Sequence, residues 1–232
     1  RGAEKAQYDF LLFLHEDVLF ETQDWGEILI IHLKKENTGV IGIAGSNYVP
    51  NAPIGWHIPD EKSNFLNLIQ NDKNNNQPKL ECNIKSSQQV YALDGVFMAV
   101  KKNIYINFNF DESLKGFHGY DLDFSLRIAQ KYQNLVINDI LIEHFSLGNP
   151  NKEWLDSITY VKEKDLFHSN QVYNFEIEKL SFLIYLRNYF RYNKCNFQNL
   201  LYTLKFFSFK LFIYSFFVVL KTYKYYYLRD LK

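Results

Sequence analysis

Residues 8–17 read YDFLLFLHED, and the break inside that stretch decides the fold. Tyr8 to Leu14 is a nearly continuous apolar run rich in aromatics, the pattern of a strand covered on both faces in a parallel sheet. It stops abruptly at His15-Glu16-Asp17. Downstream, Trp25, Ile28, Leu29, His32 and Leu33 recur at helical spacing, and Gly39 to Ala44 (GVIGIA) reads as the next short strand. A strand, helix, strand order predicts an α/β domain, a mostly parallel sheet flanked by helices.

Four of the five prolines (Pro50, Pro53, Pro59, Pro78) and an Asn-rich run, Asn71 to Gln77, fall between Asn47 and Gln89. That composition predicts a long loop or partly mobile insertion. Order resumes in Val90 to Val100 (VYALDGVFMAV), a strand interrupted by Asp94-Gly95; Asp121 to Tyr132 has helix periodicity, and Leu135 to Ile142 reads as one further strand. After Pro150 the pattern turns helical and amphipathic. The expected organisation is an α/β domain over residues 1–150, a helical linker over 151–181, and basic aromatic helices over 182–232.

With 232 residues there is room for one α/β domain and an appendage. Net charge is zero but unevenly spread: Ser181 to Lys232 holds nine Lys or Arg against the single acid Asp230, leaving 17 bases against 25 acids before it. An acidic body with a basic, aromatic tail points to an anionic membrane surface as partner. The longest uncharged tail run, Leu211 to Leu220, is about half of the roughly 20 residues a spanning helix needs, so an interfacial helix is expected. Nucleic acid is disfavoured, because the acidic body would repel phosphate. Cys82 and Cys195 are isolated, which gives neither a zinc motif nor a disulfide framework and suits the cytoplasm. The expected location is the inner face of the cytoplasmic membrane.

Three groups of residues carry possible chemistry. His15, Glu16 and Asp17 stand at a strand's end, where α/β sheets place their crevice, and offer imidazole and carboxylate ligands for a divalent ion. In Gly116 to Asp123 (GFHGYDLD) a glycine-bearing loop enters a helix whose first turn carries Asp121 and Asp123, and the helix dipole there favours an ionised carboxylate. Either carboxylate alone is more often a plain cap than a base. Glu143-His144 again follows a strand, and a lone His there is more often structural than a ligand.

In order along the chain, FLLFLHEDVLF, YALDGVFMAVKK, FDESLKGFHGYDLDFSLRIAQ and INDILIEHFSLG resemble the motif set of family 2 glycosyltransferases of the GT-A fold, a Rossmann-like α/β architecture. The likeness is to a bacterial subgroup with His in its first motif, and it runs from about Tyr8 to Gly148. It implies an inverting transfer from a nucleotide-sugar donor to a glycan or lipid-linked acceptor, in bacterial surface polysaccharide synthesis, with Mn or Mg as cofactor. His15-Glu16-Asp17 would be the metal and diphosphate motif, His15 replacing its first Asp. Asp94-Gly95 would border the donor sugar. Tyr120-Asp121 would be the acid pair whose Asp is the general base, Tyr120 replacing Glu. His144 would complete the metal site. His118, Gly119, Tyr120, Asp123 and Trp56 would face the acceptor. The family's first strands and the nucleotide-binding unit before the metal motif have no counterpart, so the chain reads as starting at Arg1 within a domain.

Other residues weigh less. Asn47 to Pro50 and Trp56-His57 could line an acceptor pocket or anchor their own loop; Trp154 and His168 read as packing and surface residues, and Arg187-Asn188 as part of an interfacial helix. The rival from another class is a catalytically silent carbohydrate-binding scaffold at the membrane, suggested by His15, Tyr120 and the missing unit.

Overall fold

The computed structural model describes residues 2–71, 78–114, 116–146, 148, 150–164 and 171–231. His168 and most of the Asn-rich run lie outside them. The elements are α1 (Gly2–Lys5), β1 (Phe10–Leu14), β2 (Val18–Phe20), α2 (Trp25–Lys34), β3 (Thr38–Gly42) and β4 (Ala44–Ser46). There follow a 3-10 turn (Glu61–Ser63), β5 (Asn64–Gln70), β6 (Lys79–Cys82), β7 (Gln88–Val90), β8 (Ala92–Leu93) and β9 (Phe97–Lys101). The chain continues with α3 (Lys102–Phe108), α4 (Tyr120–Ala129), β10 (Gln133–Val136), β11 (Ile142–His144), α5 (Lys152–Glu163), α6 (Phe175–Tyr192), α7 (Phe197–Leu204) and α8 (Phe209–Asp230).

The strands form two sheets, ordered β1-β9-β3-β10-β7 and β2-β11-β5-β4-β8, with β6 paired to β5. The first is covered on both faces. Ile41, Phe97 and Ala99 pack with Leu29 and Leu33 of α2, whereas Val40, Met98 and Val100 pack with Ile104 of α3 and Phe124 and Ile128 of α4. Alternate residues of one strand thus serve different layers, which is why these strands read as unbroken apolar runs.

The mixed α/β class agrees with the sequence reading, but the sheet is not mostly parallel. Among the described residues β3/β10 and β5/β11 are parallel, while β1/β9, β3/β9, β7/β10, β2/β11 and the β4 pairings are antiparallel. A continuous apolar run reports burial on both faces and carries no information on strand direction. Leu135 to Ile142 also divides: β10 ends at Val136 and β11 starts at Ile142, in the other sheet.

The expected loop over 47–89 contains β5, an inner strand of the second sheet. Its pattern is disguised by two buried asparagines that satisfy backbone groups. Asn64 donates to the Ile58 carbonyl (2.7 Å) and accepts from the Ile58 amide (3.0 Å), and Asn67 donates to the Ile140 carbonyl (2.9 Å). Pairing makes such residues affordable inside a fold.

Phe182, Tyr185, Leu186 and Phe190 of α6, read from sequence as the start of a membrane-facing tail, are fully buried. They share a cluster with Tyr48, Ile54, Ile58, Leu155 and, from α8, Leu211, Val219 and Tyr223. The helices after residue 150 therefore complete a core that reaches the 48–58 segment. Tyr48 anchors that segment: its hydroxyl donates to Glu178 Oε1 of α6 (2.9 Å), and the Asn51 amide donates to Oε2 (3.0 Å). Burial raises the pKa of both Tyr48 and Glu178. Among the described residues no helix is long and apolar enough to cross a membrane.

Candidate active site

Strand register assembles the site. β1 and β9 are antiparallel with Leu14 opposite Phe97, so the end of β1 meets the 94–96 turn, and the His15 amide donates to the Val96 carbonyl (3.1 Å). β2 and β11 are antiparallel with Val18 opposite His144, and the Phe145 amide donates to the Asp17 carbonyl (3.0 Å). Asp17 and Phe145, 128 positions apart in the chain, thereby share one edge.

His15, Asp17 and His144 converge. One ligand atom from each lies within 4.8 Å of the others, with His144 Nε2 3.6 Å and His15 Nδ1 4.0 Å from Asp17 Oδ1. The Asp17 pKa is lowered: partial burial opposes ionisation, and the Ser146 hydroxyl and the two histidines outweigh it. Burial lowers the pKa of His144, against the pull of Asp17 and Asp94. A carboxylate held ionised beside two imidazoles is a fitting donor set for a divalent ion. Glu16 is exposed and lines the cavity beside the cluster without belonging to it.

A cavity of about 850 Å³ opens over this cluster. His15 and Asp17 form part of one wall, Asp94, Gly95, Tyr120 and Asp121 another, and Trp56, Phe117, His118 and Gly119 lie around it. Gly95 is required sterically: a Cβ there would stand 2.2 Å from the Tyr120 hydroxyl oxygen and 3.2 Å from Asp121 Cβ. Without that Cβ, the Gly95 amide donates to Asp121 Oδ2 (3.1 Å) and the Tyr120 hydroxyl donates to the Gly95 carbonyl (3.3 Å). The same hydroxyl lies 3.3 Å from His15 Nε2, joining the α4 start to the end of β1. Gly119 precedes α4 at φ +78, in the left-handed region, with Ser157 of α5 packed behind it.

Asp121 is pushed up to about 7, first by burial and then by the charge of Asp94. The sequence reading expected the helix dipole to favour ionisation; the amides of Leu122 and Gly95 do so, but burial is the larger effect. Asp94 is itself raised by burial, although the Val96 amide (2.8 Å) and the Trp56 side chain both donate to its carboxylate. Two carboxylates so placed resist ionising together.

Asp123, expected on the acceptor side, is fully buried and belongs elsewhere. Its Oδ2 accepts from Arg127 Nε (2.8 Å) and its Oδ1 from Lys164 Nζ (2.8 Å). Lys164 also holds Asp111, and Arg127 donates to the backbone carbonyls of Phe108 and Asn109. This network ties α4 to the end of α5 and to the 108–111 turn. Trp154, read as a packing residue, does pack between two core clusters but also lines the cavity from α5, against Gly55. Its position i+3 after the Asn151 cap gave no sequence signal of that second role.

A family model described as "Glycosyltransferase like family" matches residues 1–175. The chain belongs to that family. No curated protein matches its sequence. Among solved structures, a crystal structure of GalNAc-T7 with UDP, GalNAc and Mn2+ is similar at 13% identity and a TM-score of 0.46, over 70% of this chain and 33% of that one. This chain thus spans about a third of that protein's length.

Proposed function

We propose that this chain is an inverting, divalent-metal-dependent glycosyltransferase that moves a sugar from a nucleotide-sugar donor to a glycan or lipid-linked acceptor in bacterial surface polysaccharide synthesis. One observation carries the reading: His15 and Asp17, which with His144 form a cation-ready cluster, line the same cavity as Asp121, a carboxylate pushed up to about 7. A divalent ion bound there supplies Lewis-acid neutralisation of the donor diphosphate. Two imidazoles with a single carboxylate favour Mn over Mg.

The proton chemistry falls to Asp121. As the acceptor hydroxyl oxygen bonds to the anomeric carbon, Asp121 takes its proton and the bond from that carbon to the diphosphate breaks. A single displacement inverts the anomeric configuration. A base with a pKa near the working pH is both ionised often enough and basic enough to act. The Gly95 amide holds Asp121 in place, the neighbouring Asp94 charge raises its basicity, and Trp56 and Trp154 offer aromatic surface for the acceptor. Incubation with a panel of nucleotide sugars and Mn should give turnover with one donor and a product of opposite anomeric configuration by NMR. No turnover with any donor, together with nucleotide binding indifferent to metal, would instead select the silent scaffold.

The reading extends to the inner face of the cytoplasmic membrane as the place of work. α8 buries Leu211, Ser215, Val219 and Tyr223 along one stripe and exposes Phe217, Leu220, Tyr227 and Leu228 on another, with Lys221 and Lys224 between them. Apolar surface interleaved with bases suits an anionic lipid surface. The protein should sediment with phosphatidylglycerol vesicles but not with phosphatidylcholine vesicles. Lys221→Gln and Lys224→Gln should each weaken that binding by about 1 kcal/mol, roughly fivefold. Equal binding to both vesicles would refute the membrane assignment.

A further inference from the structure

Gln70 is the last residue of β5, in the segment that the sequence presents as a loop. The parallel register of β5 and β11 sets it directly beside His144. Its amide nitrogen donates to two backbone carbonyls, those of His144 (3.1 Å) and Ser146 (2.7 Å). Its amide oxygen lies 3.3 Å from His144 Nδ1.

These contacts fix the orientation of the amide. Backbone carbonyls only accept, so the NH₂ end must face them and the oxygen must face the imidazole. An amide oxygen also only accepts, which requires a hydrogen on Nδ1. In neutral His144 the lone pair then sits on Nε2, the atom that Ser146 Oγ approaches to 3.2 Å and that faces Asp17 Oδ1 at 3.6 Å. A nitrogen lone pair and a carboxylate directed at the same space repel one another unless a cation lies between them.

We propose that Gln70 is a positioning residue for the metal site: it holds His144 in the Nδ1–H tautomer, so that Nε2 is presented as a ligand beside Asp17. This rests on the metal-dependent reading above. Partners that orient a ligating imidazole typically contribute 10–100-fold to metal affinity. Gln70 would act through His144 without touching the ion or the substrate.

The metal-free full chain tests this without an assay of turnover. Long-range ¹H–¹⁵N NMR of the His144 ring should show Nδ1 protonated and Nε2 bare in the wild type, and a shift toward the other tautomer in Gln70→Leu. Mn titration followed by EPR should show a Kd about 10–100-fold higher in Gln70→Leu. Gln70→Glu, which keeps an acceptor opposite Nδ1, should retain the wild-type tautomer. An Nε2–H tautomer in the wild type would overturn the proposal even if Gln70→Leu fails to fold. So would an unchanged Kd in a folded Gln70→Leu variant. Absence of Mn binding to a wild type with the Nδ1–H tautomer would sink the metal reading and, with it, the role assigned to Gln70; the tautomer result would show which step failed.

Discussion

Asp121→Asn is expected to lower kcat by about 10²–10⁴-fold, the usual contribution of a general base, while leaving donor and metal binding intact. The amide occupies the same space and keeps an oxygen for the Gly95 amide, so the loss measures the proton acceptor alone. Wild-type kcat/KM should rise with pH and level off above about 7, where Asp121 of the free protein loses its proton. Stability should move the other way. The folded pKa lies above the ordinary aspartate value of 3.8, so the protonated form is favoured on folding. Its stabilising effect is present below the unfolded pKa and is lost as pH rises through the folded value. Above pH 7 the wild type carries a half-buried charge beside Asp94 that Asn does not. Asp121→Asn should therefore melt at a higher temperature than the wild type at pH 8 and lose that advantage at pH 4. An active variant, or one less stable at pH 8, would remove Asp121 from the role of base.

The second large effect is expected at the metal cluster. Asp17→Asn should reduce Mn affinity by more than the roughly 10–100-fold that loss of an outer partner costs, since it removes the cluster's only carboxylate. The Ser146 hydroxyl can still donate to the amide oxygen, and the side chain is partly exposed, so folding should be little affected. EPR of free Mn during titration reads the loss directly. Wild-type affinity in Asp17→Asn would mean that the ion, if bound, sits elsewhere.

How far the sequence foretells this site depends on which physical signal each residue emits. His15 to Asp17 was legible because an apolar strand stops at three polar residues, and the antiparallel neighbour β9 then delivers Asp94 and Gly95 to the same edge. Strand direction was not legible, because burial on both faces yields the same apolar run either way. β5 was hidden because Asn64 and Asn67 are buried by satisfying backbone groups rather than by being apolar. Gln70 was lost with it. Asp123 could have been read better: two residues along a helix place side chains about 200° apart, so Asp121 and Asp123 cannot both face one cavity. The aromatic residues of 182–190 have the composition of a membrane-facing segment, and only the packing of α6 on α8 and on the 48–58 segment separates core from lipid contact.

The central claim, that this cavity performs metal-dependent sugar transfer with Asp121 as base, is tested most directly by release of nucleoside diphosphate from a nucleotide sugar. Wild type and Asp121→Asn would be followed side by side, each with Mn and with a chelator in its place. The account predicts release by the wild type with Mn, at least about 10²-fold less from Asp121→Asn with Mn, and none from either protein in the chelator. Release that persists in the chelator, or that is equal in the two proteins, would contradict it.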